Sequence, residues 1–354
     1  MTAKVGELRR VAFVRTASLR HAKQRSVIDL TVWYPARADA LERPVVIGPS
    51  DRPLFRVGSA APAAAFAGRR RRPVLLLSHG FGGSARMMGW FGIGLARKGY
   101  VVLAVDHPGS NGIDEMTMAG ALLWWERAED LRAALAQAAG DPAIEPHLDL
   151  HTVGVAGFSA GGFTALVAAG ARADRDRFER FCAANPEDGV CQPQREFPVT
   201  AAEREAAFTL PEMRAEAARA REDHSIANVR AAFAIAPALV QALDPESLAS
   251  LSRPVELLVG DADTVAPAAT NGMVASLAIP SARVVHLRGV GHYDFLAEWT
   301  EAGSAAFPWC SANVPQRDTH RLALDAAAAF FRRQLGTAQP PAANGQARCS
   351  SDAH

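Results

Sequence analysis

The chain has 354 residues, of which 49% are hydrophobic and 21% are charged, and its formal net charge is +1. These values are ordinary for a globular protein with a sizeable buried core. The balanced charge gives no reason to expect a nucleic-acid partner, and the sequence contains no apolar stretch long enough to span a membrane. The N-terminus lacks the pattern of a secretory signal, which predicts a cytoplasmic protein. A secreted or periplasmic location is the alternative if a signal has been removed.

The first fifth of the chain predicts an antiparallel pair of strands and then a loop or a small excursion. Segments 11–17 and 25–36 show the alternation of half-buried strands, and we expect them to pair at a sheet edge. Residues 36–73 are rich in Pro, Ala, Gly and Arg and are interpreted as a long loop or a small excursion.

The rest of the chain alternates between apolar runs and segments suited to helices. The apolar runs, which favour parallel strands covered on both faces, lie at 74–78, 101–105, 153–157, 231–236, 254–260 and 283–288. The helical segments lie at 87–99, 118–140, 160–172 and 317–336. This alternation predicts an α/β fold with a mostly parallel central sheet and helices on both faces.

Residues 172–228 interrupt this alternation of strands and helices with charged segments that are suited to helices. The segment is longer than a strand-to-strand crossover needs, so we interpret it as a helical lid or cap inserted into a single catalytic domain, residues 1–335. The alternative is that this segment is a solvent-exposed insertion with no role at the site. The tail, residues 336–354, lacks periodicity and is predicted to be disordered.

The stretch "GFSAGG" places Ser159 between Gly157 and Gly161, directly after a predicted strand and before a predicted helix. Gly-x-Ser-x-Gly alone is a weak motif. In a strand–turn–helix context it is typical of a nucleophile elbow, a tight turn that presents a serine hydroxyl above the sheet. The pattern therefore predicts that Ser159 is a nucleophile.

A serine hydroxyl needs a base and an acid that orients the base, and both should follow the elbow in the chain. Asp263 stands after the apolar run at 254–260, and His292 stands in the loop after the last run. We predict that they complete a catalytic triad with Ser159. Asp261 is the weaker alternative for the acid.

The motif "SHGFGG" follows the first predicted parallel strand. In folds with a nucleophile elbow, the loop at this position supplies one backbone N–H of the oxyanion hole. The backbone N–H groups of Phe81 and Ala160 are the predicted donors. His79 is interpreted as an organiser of this loop rather than a proton carrier.

Cysteine and histidine spacings match no zinc site, so neither a metal nor an organic cofactor is expected. Cys182 and Cys191 are spaced to allow a small disulfide, with free thiols the alternative. A group of methionines and tryptophans is a candidate for an apolar pocket or for helix packing: Met87, Met88, Trp90, Met116, Met118, Trp124 and Trp125.

The motifs "SHGFGG", "GFSAGG", "GDADTVAP" and "GVGHYDF" stand in an order and spacing that resemble the α/β-hydrolase superfamily. More narrowly, "DLTVWYPA", "RPVLLLSHGFGGSA" and "GYVVLAVDHPGSN" resemble bacterial dienelactone hydrolases related to platelet-activating-factor acetylhydrolase. The resemblance covers roughly residues 25–335. It implies a serine carboxylic-ester hydrolase with the triad given above. Dienelactone hydrolases themselves use a cysteine nucleophile, so the serine argues against that activity.

The predicted function is therefore hydrolysis of small or short-acyl esters through an acyl-enzyme intermediate, with a small-molecule ester as the only expected partner. The first alternative is a serine peptidase or amidase on the same fold. The second is a non-catalytic binding protein that retains the hydrolase fold. Neither the ester nor the oligomeric state follows from the sequence.

Overall fold

A mostly parallel sheet runs through the centre of the protein, in a computed structural model that describes residues 3–308, 310 and 312–336. Within those ranges the strands are β1 (Lys4–Phe13), β2 (Val27–Ala36), β3 (Arg43–Ile47), β4 (Phe55–Pro62), β5 (Arg72–Ser78), β6 (Val101–Val105), β7 (Leu148–Phe158), β8 (Val229–Ile235), β9 (Val255–Gly260), β10 (Ala282–Leu287) and β11 (Glu298–Trp299). Their spatial order is β10-β9-β8-β7-β5-β6-β2-β1-β4-β11, and β3 pairs with β4. Strands β5 to β10 are parallel and correspond to the six apolar runs, which confirms the predicted fold class.

Helices cover both faces of this sheet. Those in the described ranges are α1 (Ala17–Arg20), α2 (Gly89–Arg97), α3 (Met118–Leu122), α4 (Glu126–Gly140), α5 (Ala160–Ala169), α6 (Arg175–Ala184), α7 (Ala201–Ala207), α8 (Pro211–Ala217), α9 (Pro245–Ala249), α10 (Gly272–Ala278), α11 (Glu301–Ala306) and α12 (Gln316–Leu335). Residues of α2 and α12 pack into one apolar core, and residues of α4 and α5 pack into a second. Side chains on both faces of the parallel strands are therefore buried, as their continuous apolar sequences require.

Residues 36–73 were expected to be a long loop or a small excursion, and the structure shows that they are not a loop alone. They contain β3 and β4, an antiparallel pair in which Phe55 and Val57 are buried. The pair formed by β1 and β2 is antiparallel as expected, but β1 ends at Phe13 and covers only the start of the predicted segment 11–17, whose last residue begins α1. The pair does not lie at the sheet edge, because β4 and β11 continue the sheet beyond β1. Short strands in a segment rich in small residues carry little periodicity, which is why the sequence pattern did not reveal them.

The predicted helix at 118–140 is two helices, α3 and α4. Leu123 ends α3 with φ −91° and ψ 60°, outside the helical region. The break allows Trp124 and Trp125, adjacent in sequence, both to be buried, which a continuous surface helix does not easily permit.

Residues 172–228 connect α5 to β8 and contain α6, α7 and α8. Among the residues that the structure describes, we find no helix with both the length and the apolarity required to cross a membrane. Of the predicted disordered tail, residues 337–354 lie outside the described residues.

Candidate active site

Ser159 lies at the junction between β7 and α5, in a backbone conformation with φ 58° and ψ −121°. The flanking glycines are required by close approach of the backbone. A Cβ on Gly157 would lie 2.0 Å from the Gly161 carbonyl oxygen, and a Cβ on Gly161 would lie 2.1 Å from the Ser78 carbonyl oxygen. The positive φ of a non-glycine residue marks a strained turn, and such strain is often found where a functional side chain is presented.

The three side chains that the sequence proposed as a triad lie within hydrogen-bond distance of one another. His292 Nε2 is 2.9 Å from Ser159 Oγ, and His292 Nδ1 is 2.6 Å from Asp263 Oδ2. An aspartate that accepts from Nδ1–H leaves Nε2 unprotonated in the neutral ring, so Nε2 can accept the serine proton. All three residues are buried, which excludes most bulk water from these bonds.

Asp263 is held in place by its own hydrogen bonds. Its Oδ1 accepts the backbone N–H groups of Val265 and Ala266 at 2.9 and 2.8 Å, which leaves Oδ2 for the histidine. Asp261 instead accepts a backbone N–H of the loop after β10, and Asp294 accepts the backbone N–H groups of Gly291 and Asn313. Of the two candidates from the sequence, Asp263 and Asp261, the structure brings Asp263 to His292.

The two proposed oxyanion donors flank the serine. Ala160 is the first residue of α5, a ten-residue helix whose N-terminus favours negative charge. Gly80 lies so close to the elbow that its Cβ would be 3.2 Å from Ser159 Cβ. Phe81 follows Gly80, and Phe81, Ser159 and Ala160 line the same cavity.

His79 fixes the peptide that carries the Phe81 N–H. The His107 N–H donates to His79 Nε2 at 3.1 Å, so the proton of the neutral ring is on Nδ1, which donates to the Gly80 carbonyl oxygen at 2.6 Å. Burial lowers the pKa of His79 well below its usual value, which keeps the ring neutral. In a trans peptide the C=O and N–H point in opposite directions, so a bond to the Gly80 oxygen orients the Phe81 N–H away from His79.

We expect His79→Leu to lower kcat by up to about 10²-fold with little change in KM, because the Gly80 carbonyl oxygen loses its bond to His79 and keeps only the Gly83 N–H at 3.2 Å. Steady-state kinetics with p-nitrophenyl butyrate measures the effect, and a thermal melt checks the fold. His286→Leu, on the exposed side of β10, is the matched control and should leave kcat unchanged. An unchanged kcat in His79→Leu would contradict the orienting role.

A cavity with about 730 Å³ of empty space, part of it open to solvent, lies beside Ser159. The insertion 172–228 contributes much of its wall, including Phe178, Val190, Gln194, Phe197 and Arg204. The insertion also contacts the loop after β5, since a Cβ on Gly82 would lie 2.6 Å from Glu196 Cβ. The insertion therefore forms part of the cavity wall and packs against the loop after β5. Of the methionines and tryptophans singled out earlier, Trp124 lines the cavity, whereas Met88, Trp90 and Trp125 are packed in the core.

Cys182 and Cys191 form a disulfide within the insertion. The bond joins the end of α6 to the loop that carries Val190 and Gln194 to the cavity wall.

Replacing both cysteines with serine is expected to destabilise the insertion by about 2–3 kcal/mol, because the short loop gains conformational freedom when it is open. We expect a larger rise in KM than fall in kcat, since the cavity wall is affected and the triad is not. Hydrogen exchange of the insertion and steady-state kinetics test this, with Cys310→Ser as the control for loss of a thiol outside the disulfide. Equal exchange rates in the two variants would contradict it.

Arg127 was not identified from the sequence, although it lines the cavity and is 2% exposed. A signal was present: Arg127 precedes Leu131 by four residues and Ala134 by seven, which places a charge on the buried stripe of α4. Arg204 of α7 also lines the cavity, but nothing in its local sequence distinguishes it from the other charges of the insertion.

In the described part of the chain, no cluster of three or more His, Cys, Asp or Glu residues is arranged to hold a metal ion.

Comparison with known proteins gives a family and a fold. Residues 74–305 match the Alpha/beta hydrolase family. A ferulic acid esterase from Streptomyces cinnamoneus, solved at 2.4 Å resolution, is similar in structure, with a TM-score of 0.63 and 21% sequence identity over 98% of this chain and 95% of that chain. No curated protein sequence matches.

Proposed function

Because the chain belongs to the alpha/beta hydrolase family, we propose that it is a serine carboxylic-ester hydrolase acting on small or short-acyl esters. The observation that carries the proposal is the pair of hydrogen bonds that connects Ser159 to His292 and His292 to Asp263. A serine, a base and an orienting acid in this arrangement are the groups that acyl transfer requires.

In the first half of the proposed reaction, His292 Nε2 takes the proton of Ser159 Oγ as the oxygen attacks the ester carbonyl carbon. The new Oγ–C bond forms, and the carbonyl π electrons move onto oxygen, where the N–H groups of Phe81 and Ala160 stabilise the charge. Asp263 stabilises the imidazolium. Collapse of the intermediate breaks the bond to the alcohol oxygen, which leaves with the proton from His292.

In the second half, water replaces the alcohol. His292 removes a proton from water as its oxygen attacks the acyl-enzyme carbonyl, and the same N–H groups stabilise the second oxyanion. Collapse breaks the acyl–Oγ bond, and the proton returns to Ser159. These steps use only side chains, backbone N–H groups and water.

The structural neighbour is named as an esterase, which supports ester rather than amide hydrolysis in this proposal. The narrower resemblance to dienelactone hydrolases and platelet-activating-factor acetylhydrolase stays a prediction. We also propose that residues 172–228 act as the lid that limits which ester reaches Ser159.

The test combines an active-site label with matched substrates. We expect a fluorophosphonate probe to label the protein, and p-nitrophenyl butyrate to be hydrolysed much faster than the p-nitroanilide of the same acid. Preference for the anilide would favour the peptidase or amidase alternative. Absence of both labelling and turnover would favour a binding protein. A series of p-nitrophenyl esters with two to sixteen acyl carbons then reports the accepted acyl length.

A further inference from the structure

The cavity beside Ser159 has both proposed oxyanion donors, Phe81 and Ala160, in its wall. The leaving alcohol must lie within hydrogen-bond reach of His292 Nε2, which returns its proton. The cavity wall, as far as the described residues define it, includes Phe81, Ser159 and Ala160 but not His292. A group bound there is therefore attached to the carbonyl carbon on the side away from the alcohol.

Arg127 brings a buried guanidinium to this wall, and its hydrogen-bond acceptors are all neutral. Its Nε donates to Thr164 Oγ1 at 3.1 Å, its Nη1 donates to Ser110 Oγ at 2.9 Å, and its Nη2 donates to the His79 carbonyl oxygen and to Ser78 Oγ. A guanidinium has five N–H donors, so one Nη1 hydrogen is not used by these bonds. Ser110, which accepts from Nη1, also lines the cavity.

The charge of Arg127 is not matched by a contacting carboxylate among the described residues. Asp130, whose charge does act on Arg127, is already bound to Arg20 at 2.6 Å and to His107 at 2.8 Å. Burial lowers the pKa of Arg127 to about 9, which leaves it protonated near neutral pH. A positive charge in a dry environment without a contacting anion is costly, and an anionic ligand would reduce that cost.

Arg204 supplies a second guanidinium to the same wall, from the insertion. It is 8% exposed, its carbon Cζ lies 5.9 Å from the centre of the Phe178 ring, and it pairs with Glu179 at 3.2 Å. Glu179 is more exposed than Arg204, so its carboxylate can turn to water while a ligand takes its place beside Arg204.

The remainder of the cavity wall is largely apolar. Phe81, Trp124, Phe178 and Phe197 contribute rings, and Leu122, Val190, Val199 and Leu239 contribute aliphatic groups. An acyl group that fits this wall has a short hydrocarbon part next to the ester and a negative charge farther away.

On the basis of the proposed ester hydrolysis, we infer that the preferred substrates are monoesters of dicarboxylic acids, whose free carboxylate binds between Arg127 and Arg204. A carboxylate matches the planar fork of a guanidinium, which favours this anion. The ester end then lies at Ser159, and the hydrocarbon spacer lies against the rings of the cavity wall.

The test compares charged and neutral esters of equal chain length at neutral pH, where the free carboxylate is ionised. Monomethyl adipate is compared with methyl hexanoate, and monomethyl esters of linear dicarboxylic acids from four to ten carbons define the best spacer. Product acids are quantified by chromatography. We expect kcat/KM for the best monoester to exceed that of its neutral counterpart by about tenfold or more, the effect of one charge-assisted hydrogen bond.

Two variants assign this preference to the cavity. Arg204→Gln is expected to lower the ratio of charged-ester to neutral-ester kcat/KM by about tenfold. Glu179→Gln is the matched control, because it removes the carboxylate that competes for Arg204, and the ratio should rise. Arg127→Gln should lower the same ratio, and the comparison of two substrates in one variant separates this effect from any general loss caused by release of the His79 carbonyl.

The outcomes distinguish this inference from the proposed function. If the protein hydrolyses methyl hexanoate but shows no preference for any monoester, the inference is overturned and the esterase proposal stands. A preference that both arginine variants leave unchanged also overturns it. If neither ester is hydrolysed and no fluorophosphonate label is incorporated, both the inference and the proposed function fail.

Discussion

Replacing Ser159 with alanine is expected to lower kcat for p-nitrophenyl butyrate by about 10⁶-fold, which leaves a rate about 10³-fold above the uncatalysed reaction from the oxyanion donors and substrate binding. The variant retains the two N–H donors and the base but has no oxygen to form the acyl-enzyme, so little catalysis remains. Fluorophosphonate labelling should be lost at the same time. Rate assays at high protein concentration, together with mass spectrometry of the labelled protein, measure both effects.

The control for this variant is Ser276→Ala on α10, where a serine donates to the Met273 carbonyl oxygen at 2.8 Å. We expect Ser276→Ala to keep its activity and its label. The melting temperature of Ser159→Ala should stay close to that of the unmodified protein, because the lost hydroxyl contributes one hydrogen bond. Activity retained in Ser159→Ala, after contamination is excluded by repeated purification, would contradict the nucleophile assignment.

Asp263→Asn is expected to lower kcat by about 10⁴-fold while the overall structure is retained. An asparagine can donate to His292 Nδ1 through its amide, which favours the tautomer with the proton on Nε2 and prevents Nε2 from accepting the Ser159 proton. The amide also cannot stabilise the imidazolium by charge. The loss should appear in kcat more than in KM, since Asp263 does not line the substrate cavity.

Asp261→Asn is the matched comparison, with the same change two residues earlier in the same loop. Asp261 accepts the Gly289 N–H and is exposed, so we expect a small loss of stability and nearly full activity. Comparable losses of kcat in the two variants would show that the loop, rather than the Asp263 carboxylate, is responsible.

The central sheet was predictable because its parallel strands are continuous apolar runs that need burial on both faces. The same reasoning predicted which loops meet, since the carboxyl ends of β7, β9 and β10 lie on one edge of the sheet. That is why Ser159 and His292, 133 residues apart, were proposed as partners, and the structure places them 2.9 Å apart.

Other features depend on information that a local pattern does not contain. Strands β3 and β4 form a pair in a segment rich in small residues, and only the tertiary pairing shows it. The choice between a disulfide and free thiols for Cys182 and Cys191 depends on how the insertion folds. The position of Arg127 on the buried stripe of α4 does not by itself indicate a ligand site, because such a charge can equally belong to a structural ion pair. Its place in the cavity wall is visible only in the folded structure.

Residues 172–228 form much of the cavity wall but stand apart in the chain from the acid and the base. The segment leaves the sheet after α5 and returns at β8, whereas Asp263 and His292 follow later strands. The insertion is thus separate in the chain from the segments that hold the acid and the base, but it packs against the acid loop, since a Cβ on Gly189 would lie 2.1 Å from the Thr264 carbonyl oxygen. A different insertion grafted between α5 and β8 would therefore have to preserve this contact for the Asp263 loop to keep its position, whatever change it made to the cavity wall.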